Sequence, residues 1–108
     1  MDVDLLHAVL AALPAGSWVS YGDLGRVAGV GPRHAAKHMA TCGYCPSPHR
    51  VLRADGTPGY DEQVGRPVHM TALAAEGVGF RNGRAEQASR HDRTDLDLLA
   101  AALAASSA

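Results

Sequence analysis

The sequence predicts a mainly α-helical fold, and three observations carry that reading. The chain has 108 residues, of which 46% are apolar but only 5% aromatic. Its core is therefore built largely from Leu, Val and Ala, a mixture that favours helices. Leucines and valines recur at helical spacing near the N-terminus. Further on, a short helical segment, the turn Gly29-Val30-Gly31 and a second, basic helical segment follow one another, which is the pattern of a helix-turn-helix. A short strand and an Asp-Gly turn come behind it, so the expected fold is a winged helix-turn-helix with a small β wing and an extra C-terminal helix. A chain of this length forms one domain. Residues 1–90 are assigned to that domain and residues 91–108 to a helical extension.

Each element has its own signal. Val3, Leu5, Leu6, Val9, Leu10 and Leu13 mark an amphipathic helix over residues 2–13, with Asp2 and Asp4 suited to its N-terminus and Pro14 and Gly16 stopping it. Ser20, with Asp23 three residues on, reads as a capping box for a short helix from Tyr21 to Val27. Pro32 stands where helices start, so residues 32–41 form a second short helix carrying Arg33, His34, Lys37 and His38. Arg50 to Arg53 reads as a short strand, and Ala54-Asp55-Gly56-Thr57 as a hairpin turn. Residues 67–76 read as a helix ended by Gly77, and residues 78–84 as a small hairpin around Asn82-Gly83. Thr94 with Asp97 marks the last helix, over residues 94–105, whose Leu96, Leu99 and Leu103 give it one apolar stripe. The Ala- and Ser-rich end is expected to fray.

Composition excludes several classes. Charged residues make up 19% of the chain and no apolar run reaches the length of a membrane span, so disorder and a membrane partner are not expected. Asp2 and Asp4 are unlike the basic start of a signal peptide, and two cysteines do not build a disulfide scaffold. A cytoplasmic protein is the expectation. The net charge of −1 hides an uneven distribution. Between Leu24 and Ala54 lie Arg26, Arg33, Lys37, Arg50 and Arg53 and no acid. Such a local excess suits a polyanion, or else a merely solvated basic face.

The stretch from Pro14 to Phe80 resembles the DNA-binding domain of alkylguanine-DNA alkyltransferases, and more closely still the alkyltransferase-like proteins that lack the acceptor cysteine. The residues that carry the resemblance come in order: Pro14-x-Gly16, Val19-Ser20-Tyr21-Gly22-Asp23-Leu24, Ala28-Gly29, Pro32-Arg33-His34-Ala35, His49-Arg50-Val51, Ala54-Asp55-Gly56 and Leu73-x-x-Glu76-Gly77-Val78. The transferases hold a thiolate beside the histidine of a Pro-Cys-His-Arg-Val signature, with a glutamate behind that histidine. Here Pro48 occupies the cysteine position and Ser47 the proline position, while His49 and Glu76 are retained. Pro48 offers no nucleophile, so the resemblance implies binding without alkyl transfer, and no enzyme and no cofactor.

By the same resemblance the partner is double-stranded DNA, with O6-alkylguanine as the lesion and nucleotide excision repair proteins as later partners. The second helix of the motif would enter the minor groove, Tyr21 would rotate the phosphate beside a flipped nucleotide, and Pro48, His49, Tyr60 and Glu76 would line the lesion pocket. The family fills the vacated base stack with an arginine at the position that is Ala36 here. Arg33 and Lys37 flank it as replacement cations, although lysine lacks the planar guanidinium. Arg50 is expected either to reach the phosphate backbone or to brace the pocket loop. A further family arginine falls near Asp61, with Arg66 as a possible replacement. The rival reading is a helix-turn-helix regulator that has lost lesion recognition, which the departures at Ala36, Pro48 and Asp61 favour.

Cys42-x-x-Cys45, with His38 before and His49 after, has metal-like spacing. There is no second paired Cys or His cluster, and the resemblance already gives His49 a role. The expectation is therefore two reduced thiols and no metal. Cys45 as an alkyl acceptor is disfavoured too, because three residues of extended chain put it about 10 Å from the acceptor position.

Overall fold

The computed structural model describes residues 1–58 and 66–106. Tyr60 and Asp61, to which the resemblance gives roles, and the last two residues, expected to fray, lie outside the described residues. The architecture is mainly α, a winged helix-turn-helix closed by a C-terminal helix, with strands of two residues each among the described residues.

Helix α1 (Val3–Ala12) is capped by Asp2, whose carboxylate accepts from the Leu5 N–H at 3.0 Å. Its apolar stripe buries Leu6, Val9 and Leu10. Strand β1 (Val19–Ser20) leads directly into α2 (Tyr21–Ala28). The Ser20 hydroxyl caps α2 by accepting from the Asp23 N–H at 3.1 Å. The reciprocal half of the expected capping box is replaced, because the Asp23 carboxylate accepts from Arg90 Nη2 at 3.1 Å. Gly29 ends α2 in the left-handed conformation, with φ 82°, where a side chain would be strained. Helix α3 (Pro32–Thr41) follows and matches its sequence-predicted bounds. Gly25 allows the two helices to meet: a Cβ there would stand 2.8 Å from the Val30 carbonyl oxygen and 3.2 Å from Ala35 Cβ.

After α3 the chain makes a single 3-10 turn at Pro48–Arg50 and enters β2 (Val51–Leu52). The main partner of β2 is β1, in parallel, with Val19 opposite Val51 and Ser20 opposite Leu52. An Asp-Gly turn suggests only a partner next in sequence. Here the turn is present, with Arg53 N–H donating to the Thr57 carbonyl at 2.9 Å, and among the described residues its antiparallel return is one bridge, Leu52 to Pro58. Helix α4 (Arg66–Ala75) is followed by Gly77 and then by an antiparallel hairpin of β3 (Phe80–Arg81) and β4 (Arg84–Ala85). Asn82 and Gly83 both have positive φ, 54° and 75°, as a two-residue hairpin turn of this type requires.

Helix α5 (Arg93–Ser106) packs on α1 and α2. Its capping box is formed by Asp92 and Asp95, each accepting from the other's N–H at 3.0 Å, and not by Thr94 and Asp97. Asp97 instead receives Arg26 Nη1 at 2.7 Å. That pair is half exposed and adds little stability. Leu96 of α5 is fully buried with Leu6, Leu10, Leu24 and Val51 in the main core, so the C-terminal helix covers the first. A second cluster gathers Trp18, Leu52, Leu73, Val78 and Ala85.

Candidate nucleic-acid interface

Helix α2, the start of α3 and the turn after β2 enclose a cleft of about 590 Å³. Tyr21, Arg33 and Ala36, to which the resemblance draws attention, all line it. Tyr21 is the first residue of α2; part of its ring packs against the main core while the residue also forms cleft wall. Arg33 and Ala36 are one helical turn apart, which puts them on one face of α3. Lys37 is exposed and does not line the cleft. Of the two cations flanking Ala36, Arg33 is therefore the one placed on the cleft.

Two further arginines line the cleft that local sequence reading did not single out for it, Arg53 and Arg90. Arg53 is exposed on the turn behind β2. Arg90 arrives because the segment around it lies along the start of β1: Trp18 N–H donates to Ser89 O at 3.1 Å and His91 N–H to Trp18 O at 2.9 Å. Its guanidinium lies 5.5 Å from the centroid of the buried Trp18 ring, within cation–π range. Nη2 is held by Asp23 at 3.1 Å and Nη1 by the Ala54 carbonyl at 3.3 Å. Arg90 thus ties α2 to the turn that carries Arg53.

The basic excess read from the sequence is partly used inside the protein. Arg26 is bound by Asp97, and Arg50 is turned inward. Arg33, Lys37 and Arg53 remain exposed.

Pro48, His49 and Arg50 form the 3-10 turn, and Glu76 lies just beyond α4. His49 Nε2 is 2.9 Å from Glu76 Oε2. Arg50 grips the same carboxylate from two sides, Nη2 donating to Oε2 at 2.6 Å and Nε to Oε1 at 3.0 Å. The Gly16 N–H donates to Oε1 at 3.1 Å. Arg50 Nη1 completes the brace, donating to the Leu13 carbonyl at 2.9 Å and to Ser47 Oγ at 3.0 Å. Of the two roles read for Arg50, the observed contacts are those of a brace. Ser47 holds a left-handed backbone, φ 46° and ψ 49°, a conformation that costs a non-glycine residue about 1–3 kcal/mol and persists only where surroundings impose it. Arg50 holds Ser47 at both its oxygens, Nη1 donating to Oγ at 3.0 Å and the N–H to the carbonyl at 3.0 Å. With so many donors, Glu76 titrates far below its ordinary 4.5, at about 2; the Arg50 hydrogen bonds are the largest cause, and burial opposes them.

A carboxylate so engaged orients His49, and the residue before His49 is Pro48, which offers no nucleophile. Tyr60, expected to complete this wall, lies outside the described residues. Burial first, then its neighbour Cys42, pushes the Cys45 thiol up to about 12, which disfavours its thiolate. His38 does not face the cleft. Its ring lies beside that of His7 of α1, tilted by 43° with centroids 5.6 Å apart, and burial, with His7 and His34 adding to it, lowers its pKa.

The fold defines a winged helix-turn-helix protein in which α3, the second helix of the motif, borders a cationic cleft. Among solved structures it is similar to the crystal structure of S. pombe Atl1 in complex with damaged DNA containing O6-carboxymethylguanine, with a TM-score of 0.60 and 22% identity over 83% of this chain and 96% of that one. At that identity the likeness shows a shared fold. Neither a protein-family model nor a curated protein matches this chain.

Proposed function

We propose that this protein binds double-stranded DNA through α3 and the cleft beside it, and holds an O6-alkylguanine without removing the alkyl group. The observation that carries the reading is the convergence of Tyr21, Arg33, Ala36 and Arg53 on one cleft, in a fold shared with a protein whose structure contains damaged DNA. Arg33 and Arg53 neutralise phosphates on either side, and Tyr21 occupies the helix start, where a backbone phosphate meets α2. Ala36 leaves the base stack unfilled, and Arg33, a turn away, is the planar cation able to enter it. His49, oriented by Glu76, offers a ring nitrogen or its proton to a flipped base, and Pro48 makes the site a holder rather than an acceptor. Marking the site for nucleotide excision repair is the consequence this chemistry suits.

A second reading, a helix-turn-helix regulator without lesion recognition, is favoured by the departures at Ala36, Pro48 and Asp61. Both readings require electrostatic binding. With Arg33, Lys37 and Arg53 on phosphates, log affinity should fall with log salt at a slope of about −3, each further contact adding about −0.9. A titration of a short duplex over a salt series tests this; affinity that ignores salt would sink both readings. Arg33→Ala should weaken binding by about tenfold, and Lys37→Ala by less, because only Arg33 lines the cleft. Equal losses would remove Arg33 from the base stack.

A further inference from the structure

His7, His38, Cys42 and Cys45 bring their donor atoms within 4.8 Å of one another. His7 comes from α1, His38 from α3, Cys42 from the residue that ends α3, and Cys45 from the turn that follows. Nothing in the DNA-binding reading uses this group. From it we infer a structural zinc site that fastens the C-terminal end of the recognition helix to the first helix.

The three distances from His7 Nε2 match edges of a coordination tetrahedron, and the remaining ones lie within 4.8 Å. His7 Nε2 is 3.4 Å from His38 Nε2, 3.4 Å from Cys45 Sγ and 3.6 Å from Cys42 Sγ. A zinc ion bound at about 2.0–2.1 Å to nitrogen and about 2.3 Å to sulfur sets tetrahedral edges of about 3.3 Å between nitrogens and about 3.5 Å between nitrogen and sulfur. Hydrogen bonding does not account for the same arrangement. One ring nitrogen of neutral histidine offers a single proton or a single lone pair, yet His7 Nε2 has three close partners. A cation at the centre accepts a lone pair from all four atoms at once.

The donor set selects the metal. Two imidazole nitrogens and two thiolates are borderline-soft ligands that suit zinc, whereas magnesium and calcium take oxygen. Four protein ligands leave no open position, so the site is structural rather than hydrolytic. Local spacing supports it as well. His38 and Cys42 are four residues apart, at the end of one helix face, and Cys42-x-x-Cys45 closes the loop. The fourth ligand differs from the one the spacing suggested: His49 is bound to Glu76, and His7, from the far end of the chain, takes its place.

The test uses the full chain, purified under reducing conditions with zinc supplied, and reads metal content by mass spectrometry. About one zinc per chain is expected. The cobalt(II)-substituted protein should show the visible bands of tetrahedral coordination together with thiolate charge transfer. Chelation should lower the melting midpoint. His7→Asn and Cys45→Ser should each lose the metal, whereas His49→Asn should retain it. If the ligand variants fail to fold, metal content and the cobalt spectrum of the unaltered protein decide the matter without them. Zinc below about a tenth of an equivalent in the reduced, zinc-loaded protein would overturn the inference. So would an octahedral cobalt spectrum, or zinc lost as fully from His49→Asn as from His7→Asn. None of these readouts depends on DNA binding.

Discussion

Glu76→Ala should destabilise the fold by about 3 kcal/mol. Removing one partner of a buried ion pair costs about 3–5 kcal/mol, because the remaining charge is left without compensation. The Arg50 and Glu76 side chains retain 12% and 17% exposure, which places the loss at the lower end. Arg50 would keep only the Leu13 carbonyl and Ser47 Oγ, His49 would lose the carboxylate that orients it, and the Gly16 N–H would lose its acceptor. A domain of this size has roughly 5–15 kcal/mol in total, so the change should be plain in a urea titration. A loss under about 1 kcal/mol would show that the network is a solvated pair of little weight.

The same carboxylate gives the fold an acid limit. Its pKa in the folded protein, about 2, lies below its ordinary 4.5. The network's contribution is therefore fully present above pH 4.5 and is lost as pH falls towards 2. Glu76→Gln should flatten the stability profile across that window. An unchanged profile would assign the acid transition to other groups.

Tyr21→Ala should separate lesion binding from general DNA binding. Flipping a nucleotide costs a few kcal/mol, roughly, and contacts made only in the flipped state must offset it. In this reading Tyr21 supplies one such contact from the first position of α2, while Lys37 and Arg53 bind damaged and undamaged duplex alike. The variant should lose at least about tenfold in affinity for an O6-methylguanine duplex, about 1.4 kcal/mol, and less than about threefold for the unmodified one. Because the ring also packs against the core, Tyr21→Phe belongs in the comparison: it keeps the packing and removes only the hydroxyl. Equal losses on both duplexes would argue against flipping.

Local chemistry made the helices legible. Pro32 marked the start of α3, Ser20 the cap of α2 and Gly29 its end, and each acts within four residues of its own position. Spatial partners were not legible in the same way. Asp97 looked like a cap partner for Thr94 but is claimed by Arg26, 71 residues away. An Asp-Gly turn announced a hairpin, yet β2 takes its main partner from β1, earlier in the chain and in parallel. Arg50 counted towards a basic face until Glu76 turned it inward. Tyr21, Arg33 and Ala36 could be read as a group because the resemblance supplied their spacing. Arg53 and Arg90 complete the cleft only through the folding of distant segments, and His7 joins His38 and the cysteines across 31 to 38 residues.

The central claim is that a lesion pocket persists without the nucleophile. Two short duplexes, identical except for one O6-methylguanine, test it most directly when titrated with this protein by fluorescence anisotropy at physiological salt. The account expects the damaged duplex to bind about tenfold more tightly or better, about 1.4 kcal/mol. Equal affinity for the two would contradict it and leave a DNA-binding helix-turn-helix without damage recognition.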